Sequence, residues 1–328
     1  NITSLADFIA SRYGKRQSLA VLVKLIALAA TLPYIALQLK AVASSYAALT
    51  GGDIRPGAAA APLLKDSALY IALLMAVFAI LFGTRRLDAT EHHSGMMLAI
   101  AFESVVKLFA HLAVGAFVVY ALFGGFGELW QAARTSPSVQ AVLAQDQEFR
   151  YFTHALLGVT ALFCLPSQFH VGTVEAGSRA ELRTARWLFP LYLFLANLFI
   201  LPLALAGLLK LGGSTPADLY VLTLPLAAEA PGFALLALIG GLSAATSMVI
   251  VASVVVATMI SNDIVIPALL AHARRRGEDS PDFSRLILPL RRVLILGVAL
   301  VSFGFYRLVA GGAELANLGL LAFTLVAQ

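Results

Sequence analysis

The sequence predicts an all-α, polytopic transmembrane helical bundle, and three observations carry that prediction. Hydrophobic residues make up 60% of the 328 positions and charged residues only 12%, too little charge to cover a soluble domain of this size. Several apolar runs reach the roughly 20 residues a helix needs to cross a bilayer. Basic residues concentrate in alternate loops between those runs, as the positive-inside tendency requires. The net charge of +5 is therefore no nucleic-acid signal, because its carriers sit in short interspan loops. Membrane lipid is the expected surrounding. The one cysteine, Cys164, lies within a span, so no intrachain disulfide can form.

Eight hydrophobic segments follow one another along the chain. They run from Ser18 to about Ser45, Ser67 to Gly83, Met96 to Phe123, and Phe152 to about Gly172. Then come Trp187 to Leu209, Gly232 to Ile260, Val293 to Val309, and a last segment that begins near Glu314. Gly51-Gly52 and Pro56-Gly57, with the alanine run Ala58 to Ala61, break the chain after the first of them. The stretch Gly124 to Arg150 is polar enough for an external loop with a surface helix. Arg12, Lys15, Arg16, Arg85, Arg86, Arg179, Arg183 and Arg186 fall on one side, joined by Arg274, Arg275, Arg276, Arg285, Arg291 and Arg292. Lys40, Arg55, Lys65, Arg134, Arg150, Lys210 and Arg307 belong to the opposite side, half as many. That asymmetry predicts a cytoplasmic amino-terminal stretch and an outward first span. The chain lacks a starting Met and stops at Gln328 inside an apolar run, so it reads as a piece of a longer protein.

Polar residues inside the spans are the functional candidates, because an unpaired polar group in lipid costs several kcal/mol. In the fourth segment Pro166 is followed by Ser167, Gln168 and His170. A mid-span proline removes a backbone donor and kinks or breaks the helix. Two readings stand level: a kink whose Gln168 and His170 bond a neighbouring helix, or a broken helix lining a solute cavity. In the third segment Glu103, Lys107 and His111 recur every four residues on one stripe, with Glu103 placed to pair with Lys107. A structural ion pair is the favoured reading there, a proton or ion role the alternative.

In the sixth segment Ser243, Thr246, Ser253 and Ala257 form a stripe of small residues suited to close helix packing. Thr246 and Ser247 also offer adjacent oxygens to a hard cation such as sodium. Tyr34 and Gln38 share a face one turn after Pro33, and Lys24 lies close enough to a span end to snorkel. The cluster Asp88, Glu91, His92, His93 lacks the HExxH spacing of a zinc site. It reads as a solvated loop, and no metal is expected.

Taken together, NITSLADFIASRYGK (Asn1 to Lys15), LDATEHH, LFCLPSQFH and SAATSMVIVASVVVATMISND resemble, in that order, the solute:sodium symporter family. The stretches LPYIALQLKAV, AFESVVK and QFHV resemble more closely the branch whose transporter-like domain is fused to a bacterial sensor histidine kinase. The resemblance covers essentially the whole chain. It implies a partial inverted-repeat, leucine-transporter-like fold over residues 1–328, holding core helices three to nine and the start of ten. It implies a bacterial inner-membrane location, a small-molecule solute such as an amino acid or short carboxylate, and sodium as coupling ion, with no other cofactor. Gln168, His170 and Ser167, with Tyr34 and Gln38, become the expected solute ligands. The family's paired hydroxyls on core helix eight fall at Ser247, which keeps one, and at Met248, which does not. Thr246 lies one residue earlier, about 100° around the helix. The expected activity is solute transport by alternating access. The alternative is a ligand-sensing input domain for a fused histidine kinase in a two-component system. No catalytic chemistry is visible in these residues.

Overall fold

A computed structural model describes residues 5–14, 16–51, 62–83, 94–144, 148–212, 215–275, 284–310 and 314–327, and among them no β-strand occurs. The chain opens with the short helix α1 (Leu5–Arg12) and the long α2 (Gln17–Thr50). At 1.5 Å per residue, the 34 residues of α2 measure about 50 Å, longer than a bilayer core. Gly51 ends it in the left-handed region (φ 67°), donating its N–H back to the Ala47 carbonyl. Then come α3 (Ser67–Gly83) and α4 (Ser94–Ala116), the latter prolonged by a wide π-type turn, Phe117–Leu122. Two short helices follow, α5 (Phe126–Thr135) and α6 (Pro137–Leu143). They occupy the loop expected to carry a surface helix.

The second half continues with α7 (Glu148–Cys164) and α8 (Pro166–Phe169), α8 running on as a π turn, His170–Val174. Next are α9 (Arg179–Asn197), α10 (Ile200–Leu211) and α11 (Tyr220–Ala227). The central α12 (Pro231–Ile260) precedes α13 (Ile266–Arg275), α14 (Ser284–Phe305) and α15 (Leu315–Ala327). Five helical stretches are long and apolar enough to cross a membrane: α2, α4, α9 with α10, α12 and α14. The bent pair α7–α8 makes a sixth. This is a multi-span membrane protein. Two of the eight expected spans, α3 and α15, are shorter apolar helices, so the count of eight is not reached by length. A short apolar helix that the sequence reading passed over, α11, lies between proline-bounded turns before α12.

The core sits around α12, which packs against α2, α3, α4, α11, α14 and α8. Its stretch from Val249 to Ala257 is buried on every face, as expected of a helix apolar all round. Small residues allow the close fit: a Cβ added at Gly240 would lie 2.6 Å from the Ala110 Cβ of α4. Outward faces carry Leu188, Phe194, Phe102 and Phe109, exposed to what lipid would cover.

The two ends of the bundle are internally consistent. At one end Ala6 of α1 clusters with Val255 and Met259 of α12, Val171 packs on them, and Arg291 donates to the Asn262 amide oxygen. At the other, Asp66 pairs with Arg307 at 3.5 Å, and α5 and α6 pack on α10. Successive long helices therefore alternate in direction. The glycine and alanine loop at 52–61 and the Asp88, Glu91, His92, His93 cluster lie outside the described residues.

Candidate functional site

The break after Leu165 is the first local feature of interest. A residue before proline is pushed out of the helical region by the proline ring, and Leu165 is extended (φ −65°, ψ 126°). The axes of α7 and α8 differ by 51°. Pro166 thus breaks the helix, as its place in the span predicts. Around it, Ser167 is buried, but Gln168 is exposed. His170 Nε2 lies 3.2 Å from Glu175 Oε1, with side chains 12% and 3% exposed. The Phe169 ring packs 5.8 Å from Phe8 of α1. These residues belong to the end of the bundle that holds α1.

Tyr34, Gln38, Thr246 and Ser247 lie elsewhere, toward the middle of α2 and α12. Tyr34 is buried in the apolar cluster with Val249 and Ala252. Gln38 Nε2 donates to the Met248 sulfur at 3.2 Å. Ser247 donates to the Ser243 carbonyl of its own helix at 2.7 Å. Thr246 has the Leu242 carbonyl at 2.9 Å and Glu103 Oε1 at 3.3 Å as alternative acceptors. Ser243 donates across the seam to the Glu103 carbonyl at 3.0 Å. Glu103 is therefore turned toward α12. It makes no direct bond with Lys107, and its Oε2 is buried without a hydrogen-bond partner.

The expected solute ligands consequently fall into two groups rather than one pocket. Polar groups do converge at a different place, a cavity of about 470 Å³ walled by α2, α4, α9, α11 and α12. Lys107 and His111 project into it from α4, one turn apart. Tyr192 of α9 and Asp218 in the turn before α11 face it from other walls. Tyr192 donates to the Ser104 carbonyl at 3.3 Å, and Asp218 Oδ2 accepts from the Leu315 N–H at 3.0 Å. His111 Nε2 is buried with no hydrogen-bond partner. Neither Gln168 nor His170 lines this cavity, whereas Met248 does. The stripe Glu103, Lys107, His111 was the available signal for α4. Tyr192 and Asp218 sit in an apolar span and a short loop, and nothing local marks them.

Over 254 residues the chain is 26% identical to an uncharacterized symporter, YhjB, of Bacillus subtilis (strain 168). The match covers 76% of this chain and 47% of that protein, so the chain spans about half the length of the curated relative it matches. No family model and no solved structure matches it.

Proposed function

We propose that this chain forms part of the membrane core of a symporter-like transporter for a small polar solute. The observation that carries this reading is the cavity of about 470 Å³ walled by five helices, with the unpartnered Nε2 of His111 at its wall. Its volume falls in the range of small-molecule sites, about 300–1,000 Å³. The distant similarity to a bacterial symporter supports the same class of activity.

In this reading α2, α3 and α4 are core helices three to five of an inverted-repeat, leucine-transporter-like fold. The pair α7–α8 is the broken sixth, α9–α10 the seventh, α12 the eighth, α14 the ninth, and α15 opens the tenth. Alternating access moves the elements around α12, and the break at Pro166 supplies a pivot. The solute, an amino acid or short carboxylate, occupies the cavity rather than the break. Sodium coupling rests on the oxygens of Ser247 and Thr246. Met248 offers only a soft sulfur already engaged by Gln38, poorly suited to a hard cation. The amino-terminal end of the bundle faces the cytoplasm of a bacterial cell.

The test is uptake into proteoliposomes containing the protein as its whole gene encodes it. Radiolabelled amino acids and short carboxylates are offered with an inward sodium gradient, an inward proton gradient, or neither. Accumulation that collapses without one of the gradients is expected, and the gradient required identifies the coupling ion. Failure to accumulate any of them under either gradient would overturn the reading.

A further inference from the structure

Some hydroxyls of the bundle are satisfied by a carbonyl one turn back in their own helix, as with Thr31 on Ala27, Ser104 on Ile100 and Ser247 on Ser243, and the unpartnered ones at Ser253, Ser261 and Ser302 lie away from the cavity. Lys107 and His111 differ. They stand at i and i+4 of α4, on one face, and both line the cavity. Among the described residues Lys107 makes no hydrogen bond or ion pair, and His111 Nε2 is buried without a partner. Glu103, the nearest acid along the helix, does not line the cavity and is turned toward Thr246. Glu103 acts on Lys107 electrostatically without bonding it, and an ammonium held at membrane depth with no bonded partner is costly and marks a place where a further anion is stabilised.

The other walls define the rest of the ligand. Leu108, Leu222, Leu238 and Met248 present apolar surface, which fits a short aliphatic body. Among the described residues Asp218 is the one acid lining the cavity, and it already has partners. It accepts from the Leu315 N–H and acts electrostatically on Lys40. Among the described residues lining the cavity no acid without partners awaits a solute ammonium, and a second solute carboxylate would meet Asp218.

We infer that the cavity is a monocarboxylate site, in which the Lys107 ammonium and the Nε2–H of His111 hold the two oxygens of one carboxylate. The inference rests on the transport reading only in naming the carboxylate as the carried solute; binding itself does not depend on it. The two contacts are charge-assisted or partly so and share one carboxylate, an arrangement that gives both strength and orientation.

The experiment measures binding of sodium propionate to the purified protein, encoded by its whole gene, in lipid nanodiscs. Titration calorimetry is compared among propionate, the neutral isostere propionamide, and L-alanine. Propionate is expected to bind at least about tenfold more tightly than either, because only it offers a carboxylate without an ammonium. Lys107→Gln should weaken propionate by at least about tenfold, His111→Gln by a smaller factor, and Lys107→Arg should keep most of the affinity. Propionamide or alanine binding as well as propionate would overturn the assignment. So would wild-type affinity in Lys107→Gln, or no propionate binding at millimolar concentration. The variant that retains charge guards against reading a folding defect as a lost contact. Propionate binding that depends on Lys107 without any uptake would uphold this site and sink transport. Gradient-driven uptake unchanged by Lys107→Gln would do the reverse.

Discussion

His170 shows how a residue's surroundings decide its role. The sequence leaves a helix kink and a solute cavity level, and the family resemblance implies a solute ligand; in the structure the His170 Nε2 sits on Glu175, itself almost fully buried. A buried carboxylate needs its donors, so His170 serves the fold at the turn after the break. Replacing it with Ala should lower stability by about 1–2 kcal/mol, the worth of one buried hydrogen bond to a charged group. Thermal melting in detergent would register the loss, while propionate affinity stays within about twofold, because no contact to the cavity is removed. An affinity that falls along with His170 would place the solute at the break instead.

Two elements carry the mechanics of the proposed transport cycle. The α7–α8 pair is bent by 51° because Leu165 is held extended before Pro166. Pro166→Ala restores a backbone donor and lets Leu165 enter the helix. The variant should gain helix by circular dichroism, bind solute within about threefold of wild type, and, in the proposed cycle where the break is the pivot of the conformational step, take it up about tenfold more slowly. Unchanged uptake would remove the break from the transport cycle. The α4–α12 seam is the second element. Gly240 lets α12 approach Ala110 so closely that an added Cβ would clash at 2.6 Å with a Cβ that cannot rotate away. Gly240→Ala is expected to cost about 1–3 kcal/mol by overpacking. Adding Ala110→Gly should recover part of it, since the two sites are in contact. Additive losses in the melting temperatures would show that the seam does not couple them.

At the scale of the molecule, the helices alternate so that their ends sort into two groups. Ser178, before α9, joins the end that holds α1, and Ser138, on α6, joins the opposite one. In the proposed orientation, which rests on the basic loops, the first faces the cytoplasm. In a Cys164→Ser background, Ser138→Cys should be labelled by a membrane-impermeant maleimide in intact cells. Ser178→Cys should react only after the cells are opened. The inverse pattern would reverse the orientation.

Element identity was legible locally. Lipid satisfies no backbone polar group, so each long apolar run must be a helix whatever surrounds it. The proline break is equally local, since the clash lies between neighbours in the chain. The site was not. Successive residues differ by about 100° around a helix, so Ser167 is buried while Gln168 faces out, and the polar cluster seen in sequence disperses in space. Lys107 and His111, from α4, share their cavity with Tyr192, Asp218 and Met248 only because α9, α11 and α12 pack beside α4. Sequence alone determined that the chain spans a membrane as helices and where one of them breaks, because those outcomes follow from backbone chemistry in lipid. Only the tertiary structure decided which polar groups meet, because that depends on the rotation and packing of each helix against its neighbours.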